Sequence, residues 1–96
     1  MSQIRFEWDS RKATSNEKKH GVSFEEAQSV FFDEQALLLE DPHPRHDEER
    51  FVLLGLSASL RLLVVVHALR ERDVIRIISA RRATRKETTE YEIRLR

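Results

Sequence analysis

One histidine of this sequence, His67, lies within an apolar run, and it is the natural place to look for a group that moves protons near neutral pH. Neutral and protonated imidazole are both accessible there, so His67 is a candidate acid or base. Arg50 and Arg76 lie in the same apolar region, and the fork of a guanidinium matches the oxygens of a phosphate. Ser79 and Arg81 stand where the last apolar run ends. Arg81 to Lys86 (RRATRK) forms the basic cluster of the chain, and Tyr91 follows with a ring that can stack and a phenol that can donate. Each residue has a plainer reading. A histidine within an apolar strand is commonly a hydrogen-bonded structural residue, and the arginines can be solvated or paired with carboxylates. Lys19 and His20, just before Gly21, suit a helix C-terminus through its dipole.

The elements that must position these groups are concentrated between Arg50 and Arg82. Three runs rich in Val, Ile and Leu are separated by Ser57-Ala58-Ser59 and by Arg70-Glu71-Arg72-Asp73, a pattern of consecutive antiparallel strands. A membrane helix over Phe51 to Leu69 is rejected, because Arg61 would sit in mid-span and the small-residue break suits a turn. With two-residue hairpin loops, Ser57 faces Leu60 and Arg70 faces Asp73. That register sets Arg50, His67 and Arg76 in one row across three strands, among Val52, Leu54, Val65 and Ile78. The opposite face then carries Phe51, Leu53, Leu62, Val64, Val66, Ala68, Ile75 and Ile77. A change of one residue in either loop slides the row and breaks the alignment.

Around this meander, Gln3 to Trp8 alternates as a first strand. Asp9 or Ser10 caps a helix from Lys12 to His20 that Gly21 ends. Ser23 with Glu26 is a capping box opening a second helix over Phe24 to Phe32, and Thr84 with Glu87 opens a terminal one to about Leu95. Ala36 to Glu40 reads as a strand, followed by a loop from Asp41 to Asp47 with two prolines. His43 and His46 in that loop, with Asp41 and Asp47, match no standard metal spacing. The order is β-α-α-β-β-β-β-α. It describes an α+β domain over residues 1–96, with a small, mainly antiparallel sheet, two N-terminal helices on one face and a C-terminal helix.

Composition narrows the function. Ninety-six residues with 40% apolar content suffice for one core, and a net charge of zero provides no global basic field, so any nucleic-acid site must be local. The lack of cysteine excludes thiol chemistry and fits a reducing cytoplasm, and the polar, acidic start is not a signal peptide.

Four stretches carry a resemblance over essentially the whole chain: FEWDSRKATSNEKKHGVSFEEAQSVFFD, HDEERFVLLG, IISARRATRKE and Tyr91-Glu92. In these the chain resembles the BrnT family of toxins from type II toxin–antitoxin modules. The resemblance implies a RelE-like fold, ribonuclease activity that arrests translation, and a BrnA-like antitoxin of ribbon-helix-helix type. It also implies operator DNA as a partner of the toxin–antitoxin complex alone; neither a membrane nor a cofactor is expected. Cleavage of RNA without a metal requires a group that takes the 2′-hydroxyl proton, one that protonates the leaving oxygen, and cations that hold the phosphate. The catalytic candidates are His67, Arg50, Arg76, Ser79, Arg81 and Tyr91. Arg81, Arg82, Arg85 and Lys86 are the candidates for holding RNA. The alternative function is a non-catalytic module of the same fold, acting through protein or nucleic-acid contacts.

Overall fold

The pattern of the three apolar runs is realised as the centre of a five-stranded sheet. The computed structural model describes residues 3–41 and 48–96; His43, His46 and Asp47 lie outside them. In chain order the elements are β1 (Arg5–Glu7), α1 (Ser10–His20), α2 (Phe24–Ser29), a 3₁₀ turn (Val30–Phe32), β2 (Leu37–Leu39), β3 (Phe51–Leu56), β4 (Leu62–Leu69), β5 (Val74–Arg82) and α3 (Arg85–Arg94). The spatial order is β1-β5-β4-β3-β2, antiparallel except that β1 runs parallel to β5. The chain is therefore α+β with a mixed sheet.

Local chemistry explains the helix ends. The Asp9 carboxylate accepts from the N–H groups of Arg11 (2.8 Å) and Lys12 (3.2 Å), and Gly21 closes α1 at φ 69°, in the left-handed region that glycine adopts freely. Thr84 and Glu87 form a reciprocal capping box on α3. The expected box on α2 is only half made. Ser23 accepts from the Glu26 N–H, but the Glu26 carboxylate turns to Arg61 and to the Ser57 hydroxyl, fixing the β3–β4 loop against α2. The helix expected to run unbroken to Phe32 tightens into the 3₁₀ turn after Ser29. There β3 passes very close: a Cβ added to Gly55 would lie 2.8 Å from Val30 Cγ1 and 3.0 Å from Ala36 Cβ.

The register corrects the sequence-based expectation, and the cause is loop length. Each central hairpin has three loop residues rather than two: the Ser57 N–H donates to Arg61 O, and the Arg70 N–H donates to Val74 O. In the first loop Leu60 takes the left-handed conformation (φ 63°) that the extra residue requires. Phe51, not Arg50, therefore faces His67, and on the other side His67 faces Ile77 rather than Arg76. The expected faces hold for β3 and the first half of β5 but are exchanged for β4. His67 joins Leu63 and Val65 on the face covered by α1 and α2, where the main core is Val22, Phe24, Ala27, Val30, Leu63, Val65, Ile77 and Ala80. The opposite face carries a smaller core of Val52, Leu54, Val64 and Tyr91, with α3 over it.

A second irregularity lies in β5. Val66 faces Ser79 while His67 faces Ile77, so Ile78 is an extra residue, a β-bulge. Without it, alternation would turn Ser79 and Arg81 toward the helices with Ile77. With it, they share the face of Arg76 and Val64.

The candidate active site on the open sheet face

The α3 side of the sheet is half covered, and its uncovered part holds charged groups on strands. Continuing the β3–β4 register one step beyond Phe51 sets Arg50 opposite Ala68, which itself faces Arg76. Arg50 and Arg76 thus do fall in one row. Its centre is alanine instead of histidine.

Around this row the charges alternate. Glu7 on β1 is the parallel neighbour of Arg76, with 3.5 Å from its Oε2 to Arg76 Nη1 and 3.6 Å to Arg70 Nε. Arg70 also reaches Glu48 at 3.6 Å, and Glu48 lies 3.8 Å from Arg50 Nε. A carboxylate held between two guanidiniums is a base with cations beside it, a combination that can take a proton and hold an anion in the same place. Further along β5, the bulge presents Ser79 and then Arg81. Sequence reasoning missed Glu7, Glu48 and Arg70. The alternation of Ile4, Phe6 and Trp8 does turn Glu7 away from the core, but its pairing with a strand almost seventy residues away leaves no local signal.

The remaining candidates separate. His67 is buried on the helix face, its ring edge-on to Phe31 at 4.7 Å between centroids and tilted against Phe51 at 5.8 Å. Its Nδ1 has Val65 O at 3.4 Å. Burial pushes its pKa below the ordinary histidine value, only partly offset by that carbonyl, so the ring stays neutral where an exposed one would titrate. His67 is not in the row, and the mechanism built on Arg50, His67 and Arg76 side by side is corrected accordingly.

This has a thermodynamic consequence. Below the ordinary histidine pKa of 6.5 the unfolded chain binds a proton that the buried ring refuses, so stability falls as pH drops through that value and continues to fall until the folded ring itself titrates. His67→Phe, which fits an aromatic cluster, should flatten this part of the urea midpoint curve between about pH 7 and about pH 5. An unchanged slope would place the acid sensitivity at another group.

Tyr91 is also buried, and it cannot offer its ring to a base while α3 is docked. Its hydroxyl donates to Asp33 Oδ2 at 2.6 Å, and burial followed by the Asp33 carboxylate pushes the phenol up to about 12. For Asp33 burial acts upward, but the Leu56 N–H, the Tyr91 hydroxyl and the Gln35 N–H outweigh it and hold the carboxyl below its usual range. Tyr91 thus fixes α3 to the 3₁₀ turn and β3. Arg81 is partly committed as well: its two terminal nitrogens each lie 2.9 Å from a Glu87 oxygen. That fork, acting against burial and assisted by the Thr84 N–H, brings Glu87 down to about 2. Alanine at Arg81 would therefore loosen the α3 cap as well as remove a cation. Arg82, Arg85 and Lys86 are exposed where β5 passes into α3, and none forms an ion pair among the described residues.

Among the described residues no helix is long and apolar enough to cross a membrane, and Phe51 to Leu69 is the β3–β4 hairpin. No curated protein sequence matches the chain. Among solved structures it is similar to the 1.1 Å crystal structure of the Brucella abortus ribonuclease toxin, BrnT, with a TM-score of 0.66 and 20% identity, over 86% of this chain and 100% of that one. At that identity the likeness establishes the fold. A family model described as the ribonuclease toxin BrnT of type II toxin–antitoxin systems matches residues 8–87, most of the chain. The chain belongs to the BrnT family of ribonuclease toxins.

Proposed function

We propose that this ribonuclease toxin cuts RNA internally and without a metal, at the open sheet face. The observation that carries the reading is the β5 bulge, which sets Ser79 and Arg81 on the face where Arg76 lies beside Glu7. In this reading Glu7 takes the proton of a 2′-hydroxyl. The 2′-oxygen then bonds to phosphorus while the bond to the 5′-oxygen breaks, leaving a 2′,3′-cyclic phosphate and a 5′-hydroxyl. Arg76 and Arg50 hold the phosphate as charge spreads onto its oxygens; a water that the Ser79 hydroxyl orients protonates the leaving oxygen, and the hydroxide left behind is neutralised by the proton that Glu7 releases. Arg81, Arg82, Arg85 and Lys86 steer the strand.

Residues 1–96 act in this reading as one RelE-like domain in the cytoplasm, and cleavage of cellular RNA arrests translation. Membership of a type II toxin–antitoxin family implies an antitoxin. We take it to be of the BrnA-like ribbon-helix-helix type, with the complex binding operator DNA and repressing its own operon. Docking on α3 and on β2, the outer strand of the sheet among the described residues, suits such a partner. Leu38 on β2 and Ile93 and Leu95 at the end of α3 are exposed apolar side chains, and an edge strand offers unpaired backbone groups. The test is product chemistry. Purified chain in EDTA should convert RNA into fragments ending in cyclic phosphate, whereas intact RNA, or cleavage that returns only with added metal, would refute the reading.

A further inference from the structure

The cations of the open face are mostly spent on carboxylates: Arg50, Arg70, Arg76 and Arg81 each form an ion pair. Besides Arg82, Arg85 and Lys86, positive charge without an ion pair among the described residues is concentrated on α1. Arg11, Lys12, Lys18 and Lys19 have no carboxylate partner among the described residues, and all four are exposed. The Asp9 carboxylate feels the charge of Lys12 but is engaged in capping α1.

The placement of α1 gives this charge a direction. β1 pairs with β5 only from Val74 to Arg76, so among the described residues the edge of β5 beyond the bulge has no strand beside it. α1 takes that place. Asn16 acts as a substitute strand there, its amide nitrogen donating to Ala80 O (2.8 Å) and Val22 O (2.9 Å) and its oxygen accepting from the Ala80 N–H (3.0 Å). Lys12, Ser15 and Lys19 fall on one stripe next to Asn16. Together with His20 they line a groove of about 190 Å³ whose other wall is Ile78 and Ser79 of the bulge. A larger, shallower depression of about 660 Å³ continues over the outer face of α1, past Ser15, Lys19, Arg11 and Lys18.

We propose that this groove is a second binding site, which holds the phosphate backbone of the RNA strand as it leaves the open face over the edge of β5. The inference rests on the ribonuclease reading given above, which it extends by placing the flanking part of the substrate. Three features fit a phosphodiester chain. The groove opens at Ser79, so it is continuous with the strip of Arg76 and Arg81. Its polar groups include the ammonium groups of Lys12 and Lys19 and the hydroxyls of Ser15 and Ser79, which bind phosphate oxygens without regard to sequence. Lys12 and Lys19 stand two helical turns apart, roughly 10 Å, which lets each take a different phosphate. A protein partner would instead need apolar anchors. The apolar residue of α1, Ala13, packs against the main core, and no large exposed hydrophobic side chain lies on this helix.

The test uses the full chain and a single-stranded RNA of about twenty nucleotides beside a tetranucleotide too short to span both sites. The double variant K12Q/K19Q is compared with R72Q/R96Q, which removes equal charge from the β4–β5 loop and the chain end. The proposal expects K12Q/K19Q to bind the long RNA about tenfold more weakly at low salt. It also expects a salt slope shallower by roughly 1.4, since each lost phosphate contact on a single strand contributes about 0.7. Cleavage of the tetranucleotide should be unchanged, and R72Q/R96Q should behave as wild type in both respects. Wild-type affinity and slope in K12Q/K19Q would overturn the groove while leaving the cleavage reading intact. Loss of antitoxin association with unchanged RNA binding would overturn it in favour of a protein site. Failure of the unmodified chain to cleave either RNA refutes the parent reading instead, and the binding data then stand by themselves. Unchanged thermal midpoints would show that the exposed lysines act on binding and not on folding.

Discussion

Arg76→Gln should lower the rate of RNA cleavage by about a hundredfold or more while leaving the fold in place. Removing one preorganised donor from a site of developing charge costs on the order of 3–4 kcal/mol of transition-state stabilisation. Arg76 is the guanidinium closest to the carboxylate that serves as base in this account, so its loss removes both the phosphate clamp and the charge that orients Glu7. The effect on stability should stay within about 1 kcal/mol, because the Arg76–Glu7 pair is half exposed and spans 3.5 Å. Cleavage and urea unfolding of the same preparation separate the two. A folded variant with a near-normal rate would move the chemistry off this face.

The largest effect on stability is expected at Asn16. This buried amide makes all three of its hydrogen bonds to backbone groups, two of them on Ala80. Asn16→Leu keeps the branched shape of the side chain and leaves the Ala80 N–H, the Ala80 C=O and the Val22 C=O to find other partners. At about 1–3 kcal/mol for each buried group left unpaired, a loss of about 3 kcal/mol or more is expected. For a domain of this size that corresponds to a melting point lower by more than about 10 °C. A loss below about 1 kcal/mol would mean that water reaches the β5 edge once the amide is gone. Because Asn16 also seats α1 on that edge, the variant should distort the lysine groove as well.

What the sequence disclosed and what it concealed follow from the range of the interactions. Helix ends are local, so Asp9, Gly21 and the Thr84–Glu87 box could be read directly. The alternation within each central strand is also local, and the apolar sets of β3 and β4 are each internally correct. The relation between strands depends on loop length, and there a non-glycine residue in the left-handed conformation, Leu60, supplies a third loop residue that no turn signature announces. One residue in each hairpin is enough to send His67 to the helix face. The bulge at Ile78 is equally silent, since a β-branched residue in a strand looks the same whether it is paired or extra. Glu7 was hidden for another reason: its partner strand lies at the far end of the chain, and parallel pairing of β1 with β5 closes the sheet over that whole distance. Arg50 and Arg76 were singled out because a guanidinium in an apolar run is informative by type alone, whereas Arg70, in a turn, was passed over.

The central claim is that the open face, not the histidine, performs the chemistry. The measurement that tests it most directly is the single-turnover rate of RNA cleavage by Glu7→Gln and His67→Phe, each confirmed to be folded, side by side with the unmodified chain. The account predicts that Glu7→Gln loses about a hundredfold or more, as expected for removal of a general base, while His67→Phe retains a rate within a few-fold of the original. Full activity in Glu7→Gln together with loss of cleavage in folded His67→Phe would contradict it.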